Sequence, residues 1–257
     1  MELIDTHCHL VFDEFAGALE GVLSRSRAAG ATGWIAVGTE PAENQKAIAL
    51  AGQYENMYAA VGFHPHIAKD VTASDLEQLK QAAQNDKVVA IGEMGLDFYY
   101  DNSPRDAQTQ LFREELKIAA ELSLPVLIHS REAFEQTLAV LDEFEGRLKK
   151  VVFHCFSYSA EQAKIILDRG WHISFTGVVT FKNAQRVRQA AKSVPLDRLM
   201  LETDCPYMSP EPMRKQKINE PALLVHTARF LAELKGMDFE NFCDAVTATS
   251  KAFFNLP

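Results

Sequence analysis

A pair of histidines opens the chain. Leu3-Ile-Asp-Thr-His7-Cys-His9 reads as a short strand carrying His-x-His. Side chains alternate faces along a strand, so His7 and His9 share a face, about 7 Å apart along it, and Cys8 points the other way. Two imidazoles on one face can hold one divalent cation from the same side. An apolar strand closed by a metal-ligating residue then recurs. Val88-Val-Ala-Ile-Gly92 runs into Glu93, Pro125-Val-Leu-Ile128 into His129, and Val151-Val-Phe153 into His154. Leu199-Met-Leu201 runs into Glu202-Thr-Asp204, and Tyr58-Ala-Ala-Val-Gly-Phe63 into His64-Pro-His66.

The candidate metal ligands are His7, His9, Glu93, His129, His154 and Asp204. Imidazole with carboxylate suits zinc, manganese, iron or nickel; an all-oxygen set would suit magnesium better. Six ligands are too many for a single catalytic ion that must keep an open position. They suit two divalent ions sharing a carboxylate, and Glu93 is the natural bridge, because Gly92 before it lets the backbone approach closely. Two ions about 3.5–4 Å apart can acidify a water and stabilise charge growing on a phosphoryl or acyl oxygen. Asp204 can orient that water and take its proton. No nucleophile elbow, Walker loop or dinucleotide fingerprint offers a competing chemistry.

Eight short apolar strands alternate with helical segments in a chain of 257 residues. That pattern predicts a parallel (β/α)8 barrel, a single domain over residues 1–257. The rival is an open doubly wound sheet. Candidate ligands at the ends of strands one, four, five, six and eight favour the barrel, where such ends converge around one mouth. In this reading the fourth strand ends at Glu93, and residues 94–106 form the first long loop. Helices are expected over 108–122 and 132–143, and two more close the chain, over about 221–235 and 239–254. Cys8, Cys155 and Cys205 sit beside ligands, and strand alternation turns them toward the helical layer as buried thiols.

Composition narrows the setting. Hydrophobic residues make up 47%, enough for a full core, and no apolar run approaches the length of a membrane span. The acidic residues Glu2 and Asp5 stand where a secretory signal would be basic, so a cytoplasmic protein with reduced thiols is expected. The four cysteines lack zinc-finger spacing. A net charge of -9 disfavours a tight, sequence-blind grip on long nucleic acid. It leaves room for an enzyme that meets a phosphodiester through metal ions.

With these residues in place the sequence resembles the TatD family of metal-dependent deoxyribonucleases, within the amidohydrolase-like barrels. The matching stretches are Ile4-Asp-Thr-His-Cys-His-Leu10, Gly62-Phe-His-Pro65, Ile91-Gly-Glu-Met-Gly-Leu-Asp97 and Pro125-Val-Leu-Ile-His-Ser-Arg131. They continue with His154-Cys-Phe156, Phe175-Thr-Gly-Val-Val-Thr-Phe181 and Leu201-Glu-Thr-Asp-Cys-Pro-Tyr207. The resemblance spans essentially the whole chain, in family order. It implies one metal site of His7, His9, Glu93 and Asp204, and a second of Glu93, His129 and His154. It also implies His64 as a phosphate-contacting residue, which gives Asp204, Glu93 and His64 the catalytic roles. His66 reads as a solvated loop histidine. The chain departs from the family after the eighth strand: an Arg-Gly-Lys-x-Asn-x-Pro loop becomes Arg214-Lys-Gln-Lys-Ile-Asn-Glu-Pro221, one residue longer and without glycine.

The function expected is metal-dependent hydrolysis of phosphodiester bonds in DNA, exonucleolytic on single-stranded ends, using two divalent ions (Zn, Mn or Mg). The alternatives are hydrolysis of small amides, lactones or phosphoesters on the same barrel, and an inactive metal-binding protein; fold alone does not separate them. DNA is the expected partner, with no membrane and no obligate protein partner. Arg131, Lys182, Arg214, Lys215 and Lys217 offer positive charge, and Phe98, Tyr99, Tyr100, Phe156 and Tyr207 offer stacking surfaces.

Overall fold

The computed structural model describes residues 2–100 and 102–257, so Asp101, in the expected long loop, lies outside the described residues. The strands are β1 (Leu3–Cys8), β2 (Ala31–Gly38), β3 (Met57–Val61), β4 (Val88–Asp97), β5 (Val126–Arg131), β6 (Val151–Phe153), β7 (His172–Phe175) and β8 (Leu199–Leu201). Helices follow the strands: α1 (Leu19–Ala28), α2 (Pro41–Ala51), α3 (Ala73–Ala82), α4 (Arg105–Leu122), α5 (Phe134–Asp142), α6 (Ala160–Asp168), α7 (Gln185–Ser193), α8 (Leu224–Lys235) and α9 (Phe239–Phe254). The strands form one eight-stranded sheet in the order β1 to β8, the (β/α)8 class of fold expected from the sequence. Among the described residues no helix is long and apolar enough to cross a membrane. Two compact units divide the chain: one takes the residues up to Ile35 with Cys155–Pro257, the other Ala36–His154.

In the first unit β7 pairs parallel with β8, Ile173 facing Leu199 and Phe175 facing Leu201. The end of β8 is tied to β1 by Thr6 Oγ1, which donates to the Leu201 carbonyl at 2.9 Å. Beyond the strands, the Asp204 amide donates to the His7 carbonyl and the His9 amide to the Cys205 carbonyl, each at 2.9 Å. The sheet is covered by α9, which packs on β1 and β8 and buries Phe242, Val246 and Phe253 along one stripe. This helix starts where the Asp238 carboxylate accepts the amides of Glu240 and Asn241, and it ends at Asn255 in the left-handed region.

In the second unit β3, β4, β5 and β6 run parallel in sequence order. Helix α4 lies on β4 and buries Leu111, Phe112, Glu115, Leu116 and Ala119. Strand β4 does not stop at Glu93: it continues to Asp97, with Gly95 opposite His129 and Asp97 opposite Arg131 of β5. The glycines explain the extension. Gly92 and Gly95 take φ of +137° and +141°, open to glycine alone, and a Cβ at Gly95 would collide with the His129 carbonyl. Two close approaches of bare backbone carry the ladder past the point where the apolar run ends.

Candidate metal centre

Each unit holds a compact cluster of imidazoles and carboxylates. In the first, His7, His9 and Asp204 are all buried, and their ligand atoms lie within 4.8 Å of one another. His9 Nε2 is 3.2 Å and His7 Nε2 3.8 Å from Asp204 Oδ1. The two imidazoles approach edge to face at 5.0 Å, and His9 stacks on Phe12 at 4.7 Å. Asp204 is aimed at them by its own backbone, which turns through φ +53°, a region aspartate tolerates better than most residues.

The segment carrying Asp204 is anchored on both sides. Buried Asp5 accepts from the Thr203 amide at 2.9 Å and from its hydroxyl at 2.5 Å. Asn219 donates to the carbonyls of Thr203 at 3.0 Å and Tyr207 at 2.6 Å. Asn219 is thus the part of the altered 214–221 loop that has a fixed structural task. In the same loop the guanidinium of Arg214 rests 3.9 Å from the Phe181 ring centre, while Lys215 and Lys217 are exposed.

In the second unit Glu93 Oε1 is the focus. It lies 2.7 Å from His129 Nδ1, 2.8 Å from His154 Nε2 and 3.6 Å from His64 Nε2. His129 Nδ1 and His154 Nε2 are 3.3 Å apart. Burial alone would raise the Glu93 carboxyl. Electrostatic attraction to the neighbouring imidazoles, His154 foremost, and hydrogen bonds from His129 and His154 outweigh burial and hold it well below the usual carboxylate range. Burial likewise pulls the His129 imidazolium down, but its bonds to Asp97 and Glu93 prevail and the net shift is upward. At His64 burial prevails, and its imidazolium sits well below the ordinary histidine value.

Both clusters fit a divalent cation. Four ligands at about 2.0–2.1 Å in a tetrahedron stand about 3.3 Å apart. The His129–His154 and His9–Asp204 spacings of 3.3 and 3.2 Å match that edge. The nitrogen and oxygen donors are the set that zinc or manganese takes.

One residue of the site went unassigned in the sequence. Asp97 is buried at the end of β4, and its Oδ2 lies 3.2 Å from His129 Nε2 and 3.1 Å from His66 Nε2. Its Oδ1 accepts the amides of Tyr99 and Tyr100, each at 3.0 Å. Gln108 of α4 holds the Asp97 backbone from both sides, accepting its amide at 2.9 Å and donating to its carbonyl at 3.1 Å. A carboxylate behind a ligating histidine fixes the ring and its tautomer. The signal for Asp97 was its two-residue offset from Gly95, meaningful only once β4 is known to continue. His66, expected to be a solvated loop residue, is instead bonded to Asp97 and packs against His64 at 4.2 Å.

The cysteines fall out unevenly. Cys8 and Cys205 are buried as expected, and Cys8 Sγ donates to the Ile35 carbonyl at 3.2 Å. Cys155 is only half-buried: β6 ends at Phe153, so alternation stops before it, and it turns through φ +46°.

The family model described as "TatD related DNase" matches residues 4–255. The chain is 39% identical over 254 residues to a Bacillus subtilis protein named "Uncharacterized metal-dependent hydrolase YabD", covering 99% of both. It is 36% identical over 259 residues to the "3'-5' ssDNA/RNA exonuclease TatD" of Erwinia amylovora, covering 99% of this chain and all of that one. The crystal structure of YJJV, a TatD homologue from Escherichia coli K12, superposes with a TM-score of 0.94 at 34% identity, over 99% of this chain and 98% of that one.

Proposed function

The chain belongs to the TatD family of metal-dependent hydrolases, and on that premise we propose that it hydrolyses phosphodiester bonds of single-stranded DNA from an end. The observation that carries the reading is the pair of histidine–carboxylate clusters, one buried and one half-buried, set in a chain whose relatives include a named single-strand exonuclease. His7, His9 and Asp204 would hold one divalent ion, and Glu93, His129 and His154 the other, with Glu93 serving both. Such ions acidify a water and neutralise charge on phosphoryl oxygens.

The side chains supply the rest. Asp204 orients the attacking water and accepts its proton, a task for which its carboxylate must stay ionised. His64 donates to a phosphoryl oxygen. Its Nδ1 accepts the His66 amide at 3.2 Å, so the neutral ring carries its proton on Nε2, which makes that nitrogen a donor and not a ligand. His129 is held by Asp97 with Nδ1 directed at Glu93.

The test joins metal analysis to digestion of end-labelled single-stranded DNA and RNA, beside an ester and amide panel. Stepwise release of nucleotides with two ions per chain is expected. Turnover of the ester and amide panel alone would overturn the nuclease reading. Glu93→Ala and Glu93→Gln should lose the ions and most hydrolysis, because a neutral amide binds cations poorly. Two ions per chain retained in Glu93→Ala would refute the bridging role.

A further inference from the structure

Of the five aromatic residues that the sequence offered for stacking, the structure separates two from the rest. Phe156 is buried, and Phe98 is half-buried with the guanidinium of Arg105 4.3 Å from its centre. Tyr207 is exposed but is engaged edge-on by His9 at 6.4 Å and by Phe12 at 6.3 Å. Tyr99 and Tyr100 are adjacent, 53% and 45% exposed, and meet edge to face at 4.7 Å. Their exposure is not that of a loose loop. Asp97 Oδ1 holds both amides, Gln108 holds Asp97, and Ser103 donates to the His66 carbonyl at 2.7 Å. The apolar surface is therefore presented at little ordering cost, as in a preorganised binding surface.

Charge stands on the same spot. The Arg131 guanidinium lies 4.3 Å from the Tyr99 ring centre and 4.6 Å from that of Tyr100, and it makes no ion pair among the described residues. Stacking uses the flat face of a guanidinium and leaves its N–H edge for an anion. The assembly also adjoins the metal cluster: the Tyr100 ring is 5.5 Å from His66, and His66 shares Asp97 Oδ2 with His129. Rigid aromatic faces beside a cation, on a chain of net charge -9, answer a ligand that alternates flat rings with negative charges.

We infer that Tyr99 and Tyr100 form a stacking subsite for one nucleobase of a single-stranded nucleic acid, with Arg131 meeting an adjoining phosphate. This rests on the reading of the substrate as a nucleic-acid strand. It goes beyond that reading in making one base position, not only the backbone, a determinant of binding.

The test uses metal-loaded protein and fluorescence anisotropy with a labelled phosphorothioate decamer, which resists hydrolysis. The strand is used intact and with one abasic residue placed at each position in turn. Tyr99→Ala and Tyr100→Ala should each weaken binding of the intact strand about tenfold, and Tyr→Phe at either site should stay within about twofold, since the ring face is kept. An abasic residue at one position should weaken the unmutated protein by a similar factor and add little to the alanine variants. Arg131→Ala should weaken every strand alike. Alanine variants that bind the intact strand within twofold, or that weaken intact and abasic strands equally, overturn the subsite. An abasic signature in a protein that cleaves no natural strand supports the subsite and sinks the nuclease reading; absence of strand binding sinks both.

Discussion

Replacing Asp97 by asparagine should cost the second cluster most of its metal affinity without touching a ligand. Asp97 receives four donors: two imidazole Nε2 groups at 3.1 and 3.2 Å on Oδ2, and two amides at 3.0 Å on Oδ1. For His129 to ligate through Nδ1, its proton must sit on Nε2, facing Asp97. An asparagine amide turns its NH2 toward one of these donor pairs whichever way it is flipped. Turned toward the imidazoles, it drives the His129 proton to Nδ1, where it blocks a cation. Turned toward the tyrosine amides, it sets donor against donor there and removes the charge that favours the ligating tautomer. Losing a carboxylate behind a ligating histidine typically costs 10- to 100-fold in affinity. Because Asp97 is buried and both orientations place donor against donor, the upper end is expected here: about 100-fold, or about 2.8 kcal/mol at 1.4 kcal/mol per decade. Competition for zinc against a chromophoric chelator at pH 7.5 measures it. His66→Ala removes one donor to Asp97 but leaves the His129 tautomer in place, and should stay within about threefold. An Asp97→Asn protein with a native circular-dichroism spectrum and zinc affinity within threefold would refute the reasoning.

Three further outcomes are expected. Lys215→Ala with Lys217→Ala should raise KM on long single strands and lower the salt slope by roughly 0.7 per lost contact, with the metals in place; an unchanged slope removes this loop from the binding surface. Glu115 is fully buried, accepts the Phe63 amide at 2.7 Å, and is pushed well above the usual carboxylate range by burial. Glu115→Gln should therefore be tolerated, while Glu115→Ala, which strands that amide beside a cavity, should lose about 3 kcal/mol in urea titration. Equal stability of the two variants would contradict the reading of Glu115 as a neutral acceptor. Burial raises Asp5 to about 7, against the hydrogen bonds it accepts from Thr203. An acid raised by folding stabilises most below its unfolded value near 4 and loses that contribution as pH climbs through 7. Metal-free protein should thus lose up to about 4 kcal/mol over that window relative to Asp5→Asn. A difference independent of pH, read from urea titrations across the window, would show that Asp5 stays ionised.

The fold was legible because the apolar runs of β6 and β8 and the periodicity of α9 specify their elements with little help from elsewhere. His7 and His9 were legible from their spacing, although β1 ends at Cys8 and His9 lies one residue past it. Glu93 and His129 were identified by type but misplaced in context: each lies inside its strand, because β4 and β5 continue through polar residues on glycine contacts that no hydrophobic pattern records. Asp97 was out of reach. It meets His129 only through the Gly95–His129 register, a long-range fact. The exposed tyrosines were recognised as aromatic but could not be ranked, because exposure and the Asp97 turn are products of the folded chain.

The glycine just past β3 and the two within β4 carry a lesson for anyone who maps this protein by mutation. A methyl group at Gly62 would press on the backbone of Gly92, one at Gly92 on Leu127, and one at Gly95 on the carbonyl of His129. None of these glycines has a side chain to offer a substrate. A saturation library scored by activity should nevertheless rank them beside the ligands, and a reader of that map would be tempted to assign them chemistry. Their intolerance is that of a mould, since they set where Glu93 and His129 stand. Attempts to widen or redirect the activity would do better to leave 62, 92 and 95 fixed and to vary 99, 100, 215 and 217, whose exposed side chains can change without moving the frame.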